Sequence, residues 1–128
     1  MSGESLEFTH SRFRVWLRPD GIVQIVWGPR VTMGLEDAVA AVDAVAELTG
    51  GRRSPLLVDA REPGGPDRPA RAEFLRRGEI VSAVALIVVS PLSRIMGNFA
   101  LNLNKPSAPV RLFDDEASAL VWLLEFVA

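Results

Sequence analysis

Two short runs, "PLLVDA" at 55–60 and "SAVALIVV" at 82–89, constrain this chain more than any other feature. Both are almost wholly apolar. A strand with one wet face alternates apolar and polar side chains. A strand without that alternation is covered on both faces, and such strands belong mostly to parallel sheets. Parallel neighbours need long crossovers, usually helical. The fold must therefore be α/β, with these two strands inside the sheet and "SAVALIVV" central.

The rest of the chain fits that frame. In "RFRVWLR" at 12–18, Phe13, Val15 and Leu17 face one way and Arg12, Arg14, Trp16 and Arg18 the other, a half-buried strand. "PDG" at 19–21 is a turn, and "IVQIVW" at 22–27 returns antiparallel. Thr32 or Gly34 can cap a helix with Glu36 and Asp37 in its first turn, and Gly50 and Gly51 end it. Leu35, Val39, Val42 and Ala46, with Val45 alongside, are its apolar face. "RPARAEFLRRGEI" at 68–80 predicts a second helix, with Ala72, Phe74 and Leu75 inward and arginines outward. Ser90 and Pro91 open a third, whose Leu92, Ile95, Met96, Phe99 and Leu103 form an apolar stripe. "VRLF" at 110–113 is a last strand, and Asp114 caps a fourth helix over 115–127. The predicted order is β-β-α-β-α-β-α-β-α. It makes a single mixed, mostly parallel sheet of about five strands with four helices, the hairpin at or near one edge.

A chain of 128 residues suits one domain, expected over 12–128 behind a flexible N-terminus at 1–11. The net charge of −2, with acids and bases interleaved, argues against nucleic acid as a partner. There is no cysteine, which removes disulfides, thiolate metal sites and cysteine nucleophiles and suits the cytoplasm. "MSGESLEFTH" has neither the basic start nor the apolar core of a secretion signal, and no apolar run is long enough to span a bilayer. The sole histidine, His10, lacks partners for a metal or a catalytic triad. Asp114, Asp115 and Glu116 are explained by helix capping. No catalytic residue, metal or cofactor is expected, and the chain reads as a non-enzyme.

Three stretches carry a resemblance: the "WLRPDGIV" hairpin, "PLLVD" before a loop, and "SAVALIVVSPLSRIMGNF" leading into a helix. With the element order, these resemble the STAS-like domains, the fold of anti-sigma-factor antagonists, shared loosely with CRAL-TRIO lipid-exchange domains. They look most like a small bacterial group of uncharacterised STAS-like proteins. The resemblance implies a curved sheet with helices mainly on one face. In the antagonists an Asp-Ser pair follows the third strand, and the serine opens the second helix. Phosphate there adds about −2 charge and blocks a partner kinase. Asp59 matches that aspartate, but Ala60 stands where the hydroxyl would be and Arg61 follows. The nearest downstream hydroxyl is Ser82, a whole helix away. A regulatory module without its phospho-switch is the implied function.

Two candidate sites follow. Open α/β sheets bind ligands at the carboxyl edges of their strands. Asp59, Arg61 and Arg68 around the 60–68 loop, and Ser90, Ser93 and Arg94 at a helix start, converge on that edge. They could take a small anionic or lipid ligand. The other site is an interface. In the last helix Ala117, Leu120, Val121, Leu124 and Val127 form one apolar face and Trp122 and Phe126 a neighbouring one. One sheet covers about one stripe. Trp122 and Phe126, with Trp16 and Leu101, are thus expected to meet a protein partner, most simply a second copy in a dimer, or else a regulatory protein.

Overall fold

The structure, a computed structural model, describes residues 7–9, 13–28, 32–59, 65–88 and 108–127. Its strands are β1 (Glu7–Thr9), β2 (Phe13–Leu17), β3 (Val23–Trp27), β4 (Thr32–Met33), β5 (Ser54–Asp59), β6 (Gly65–Pro66), β7 (Val81–Ile87) and β8 (Val110–Phe113). Its helices are α1 (Leu35–Thr49), α2 (Arg68–Arg76) and α3 (Glu116–Leu124), and a 3-10 turn at Gly78–Ile80 leads into β7. Three α-helices stand among the described residues where four were expected. The remaining one, opening at Ser90, lies outside them.

The main sheet has the order β1-β2-β3-β5-β7-β8. Its β2 runs antiparallel to both neighbours, whereas β3, β5, β7 and β8 are mutually parallel. All five expected strands are present, and "SAVALIVV" lies inside the sheet. The sixth strand is a correction. Glu7–Thr9, placed by sequence in a loose terminus, pairs with β2, Glu7 opposite Trp16 and Thr9 opposite Arg14. Three residues carry too short a pattern for period two to show, and the partner's unpaired edge decides the matter.

The hairpin forms as its residues dictate. Asp20 Oδ1 accepts from Ile22 N at 3.1 Å, and Gly21 takes φ 91°, open to glycine and costly to others. In β5 the register shifts between Ser54 and Pro55, where proline has no N–H to give.

Helices cover both faces among the described residues, two on one and one on the other, where the resemblance implied mainly one. Strands β3, β5 and β7 step in one direction, so same-handed crossovers put α1 and α2 on one face. There Phe13, Val15, Val23, Ile25 and Val58 meet Ala41, Ala44, Val45 and Leu48. No crossover constrains α3, which follows the last strand and packs on the other face. Its Ala119 and Leu123 meet Ile22, Leu57, Ala83, Ala85 and Ile87. Each central strand thus feeds two cores, which is why it is apolar at nearly every position.

Two helices are rotated from the sequence reading. In α1 the buried set is Ala38, Ala41, Val42, Ala44, Val45 and Leu48, while Leu35 is exposed. Alanines, not the larger leucine, let the helix backbone approach the sheet. In α2, Ala70 and Glu73 are buried and Ala72 is exposed. Glu73 is held there by arginines that a hydrophobicity pattern cannot count. The last helix is capped by Asp115 instead of Asp114: its Oδ1 accepts from Ser118 N at 2.7 Å.

Candidate functional site

The carboxyl rim is where the expected ligand site would be. Asp59 sits opposite Ile87 in the parallel register of β5 and β7, so both strands end at one rim. Of the six proposed ligand residues, the structure describes two. Asp59 is half-buried and already engaged, and Arg68 is exposed as the first residue of α2. Arg61, Ser90, Ser93 and Arg94 lie outside the described residues.

What is described of this rim is closed by its own acids. Strands β4 and β6 pair as a two-residue parallel bridge, Thr32 opposite Gly65 and Met33 opposite Pro66. Asp67 N extends the bridge by donating to Met33 O at 2.9 Å. Met33, Ala38 and Ala70 pack beneath it with Trp27 and Phe74. The bridge sets the starts of α1 and α2 side by side. Asp67 Oδ1 then accepts from Ala70 N, and Asp37 Oδ2 from Gly34 N, both at 2.9 Å. A helix N-terminus attracts anions through free N–H groups and its dipole. At these two starts a carboxylate of the chain already plays that part, and an incoming anion would meet its charge. Asp67 is the rim residue that sequence reasoning passed over. The signal was present: an acid just before "RPA", with proline in the first helical turn.

Behind the rim, α2 is fixed to α1 by an ionic cluster. Arg76 donates to Glu73 through Nε at 3.0 Å and Nη2 at 2.7 Å, and Arg77 Nη1 reaches Asp43 on α1 at 2.7 Å. The Arg76 hydrogen bonds hold the Glu73 carboxyl below its ordinary range, against the opposing effect of burial. Arg68, Arg71 and Arg76 form the expected exposed face, whereas Arg77 is drawn into the helix–helix contact.

At the opposite, amino rim lies a cleft of about 80 Å³ between Leu17, Gly21, Thr49, Arg52, Arg53, Ser54, Pro55 and Val127. Ligand pockets run to roughly 300 Å³ or more, so this one holds a few waters. Among the described residues no three histidine, cysteine or acidic side chains gather as a metal site. No described helix is long and apolar enough to cross a membrane.

The α3 side places the expected interface residues differently from the sequence reading. Trp122 is half-buried. Its ring lies 5.7 Å from Phe113 and 5.0 Å from Phe126, with the Arg111 guanidinium 5.6 Å above it. Phe126 is half-buried too, and its carbonyl accepts from Ser82 Oγ at 3.0 Å. Both pack inward, beside Ala119 and Leu123. Trp16 faces the same side of the sheet under the Arg14 guanidinium, 5.3 Å away. Leu101 is outside the described residues. The side chains left exposed are Val121 (68%) and Leu124 (51%), with Ala117 next to them. Sequence reasoning had put these three on the inward face. Reading Ala119 as the close-approach residue would have reversed the assignment, since Leu123 and Trp122 follow it at i+4 and i+3.

A polar chain anchors the start of α3. Arg18 Nε donates to Asp20 Oδ2 at 3.2 Å and its Nη1 to Gln24 Oε1 at 2.9 Å. Gln24 Nε2 then donates to Glu116 Oε1 at 3.1 Å. Gln24 is buried, so these bonds satisfy an amide that would otherwise be costly. They tie the first turn of α3 to β3, while the buried Ala119 and Leu123 seat the helix on the sheet.

These features define a class. An uncharacterised protein of the DUF3478 family from Shewanella loihica PV-4, described as having a SpoIIAA-like fold, superposes with a TM-score of 0.65. It is 18% identical, and the match covers 91% of this chain and 98% of that one. The fold is therefore SpoIIAA-like, the STAS-like architecture. Within it the chain belongs to the family described as a domain of unknown function, DUF7793, whose family model matches residues 15–127. A search of curated proteins finds no match.

Proposed function

We propose that this chain is a non-enzymatic STAS-like module of the cytoplasm that regulates by binding another protein and lacks the phosphorylatable serine that the antagonists carry after their third strand. The exposed Val121–Leu124 ridge carries this reading: α3 is well seated on the sheet, yet it turns two large apolar side chains to water. The rim supports it. Helix α2 is opened by Asp67, and no serine or threonine occurs between Ser54 and Ser82. Ala60 follows Asp59 where the antagonists carry their serine, and the helix beyond is capped by an acid that takes no phosphate. The partner is a second copy of the chain or a distinct regulatory protein.

A second reading, a small anionic or lipid ligand at the carboxyl rim, is supported by the register that ends β5 and β7 side by side at Asp59 and Ile87. The acid-capped helix starts count against its anionic form. Light scattering at micromolar concentration and thermal-shift screening separate the two readings. A ligand present at about a hundred times its Kd adds roughly 2.7 kcal/mol of stability. Suppose the chain stays monomeric, binds no protein or peptide through α3, and melts higher with a nucleotide, phosphate or fatty acid. That result would overturn the interaction reading in favour of the ligand.

A further inference from the structure

We infer that the outer ridge of α3 takes a basic amphipathic helix of a partner protein, and not a second copy of this chain. The inference rests on the interaction reading above and names the partner's chemistry.

Charge is the first argument. Residues 114–127 contain four acids, Asp114, Asp115, Glu116 and Glu125, and no lysine or arginine, although the whole chain is nearly balanced at 14 bases to 16 acids. Asp115 and Glu125 are exposed at the two ends of the ridge, and Ala117, Val121 and Leu124 run between them. The ridge is an apolar strip with an acid at either end. Arginines on this face of the sheet already have partners: Arg14 lies over Trp16, Arg18 is bonded to Asp20 and Gln24, and the exposed Arg111 lies over Phe113 and Trp122. In a two-fold pairing centred on Val121, every acid at one end of the ridge meets acids of the other copy. Like charges placed together across an interface cost several kcal/mol. A partner with lysine or arginine flanking its apolar stripe meets the same ends favourably.

Size is the second argument. A nine-residue helix is about 14 Å long. With a ridge about 10 Å wide, it offers on the order of 150 Å². A stable interface takes roughly 800 Å² from each partner, so the ridge alone would not hold a dimer together and suits a weak, transient contact. The strip fits one short helix laid along it, read through anchors at i, i+3 and i+4.

Two synthetic helical peptides with the same apolar stripe, one flanked by lysine and one by glutamate, provide the test. Their binding to the full chain is followed by calorimetry, and the chain's own assembly by light scattering. The lysine peptide should bind and the glutamate peptide should not. Val121→Ser and Leu124→Ser should each weaken binding about ten-fold, the scale of an interface anchor. Glu125→Lys, which the helix dipole favours at a C-terminus, should weaken it several-fold without loss of folding. Added salt should weaken it as well. Equal binding of both peptides, or indifference to Glu125→Lys, overturns the basic partner and leaves the interaction reading standing. So does a parent chain that dimerises and is made monomeric by Val121→Ser, because a second copy then occupies the ridge. A monomer that binds neither peptide overturns both.

Discussion

On one face of the sheet a fifteen-residue helix buries six side chains; on the other a nine-residue helix buries two. Both helices use alanine for close approach. The face under α1 and α2 is closed further by Phe74 and by the Arg77–Asp43 bridge between the two helices. The face under α3 is closed by Trp122, Phe126 and the Gln24–Glu116 bond, and the helix's own far side stays bare. A sheet needs cover on both faces, and the minimum cover is one helix. A helix that gives its sheet this minimum while carrying apolar residues all round has surface left for another molecule.

The largest expected effect tests whether the smaller helix is nonetheless structural. Leu123 is fully buried against Leu57, Ala83 and Ile87. Leu123→Ala removes apolar area and leaves a cavity, and buried Leu→Ala changes cost about 3 kcal/mol. Val45→Ala on the α1 face removes less and should cost about 2 kcal/mol on the same scale. Urea unfolding of both variants compares the faces directly. If Leu123→Ala cost less than Val45→Ala, α3 would be an appendage and not half of the core.

Next come the two helix caps, chemically alike and differently placed. Both are exposed, but Asp67 caps α2 and also extends the β4–β6 bridge through its backbone, whereas Asp115 only caps α3. Losing a cap costs roughly 0.5–2 kcal/mol. Asp67→Ala should fall near the middle of that range and Asp115→Ala at its low end. Equal costs would mean that the bridge adds no rigidity to the rim.

The element order was legible because "PLLVDA" and "SAVALIVV" could only be buried parallel strands, and parallel strands dictate their connections. "VRLF" at 110–113 and the glycine end of α1 at Gly50 stand where the residues put them. Helix rotation was not legible. In α3 nearly every position is apolar, so periodicity names no inward face. Its inward side is the one that carries Ala119 and Leu123, and its start is tied down by Gln24, ninety-two residues away in the chain, which donates to Glu116. In α2 the inward residue is a charged Glu73, visible only with its arginines. Of the six proposed ligand residues only Asp59, at the end of β5, and Arg68, at the start of α2, are described. The rim's acid lining was missed because Asp37 and Asp67 come together only through the β4–β6 bridge, a contact between loops.

A smaller effect separates the faces by pH. Glu73 has its carboxyl held below the ordinary value of 4.5, chiefly by its hydrogen bonds to Arg76. A group depressed on folding stabilises the fold above its unfolded pKa, and that contribution is lost as pH falls through the folded value. Glu73→Gln should therefore lower stability at neutral pH. The gap from the parent should close as pH drops below 4.5. Because Arg76 is 69% exposed, the pair is largely screened by water and the effect stays small. No α3 variant made at Val121 should show this pH dependence; a shared one would mean that the two faces unfold through a common ionic step.

The smallest effect is the most discriminating. Val121 is 68% exposed, and its side chain has little to lose on replacement. Serine has about the same helix propensity as valine, and surface substitutions of this kind stay within about 0.5 kcal/mol. Val121→Ser should therefore leave the urea midpoint where it was. Two residues further along the same helix, Leu123→Ala should move it most. A side chain that folding does not need, on a helix that folding does need, has its value elsewhere. If Val121→Ser destabilised the monomer by as much as a core change, the ridge would be part of the protein's own packing, and nothing would remain for a partner to recognise.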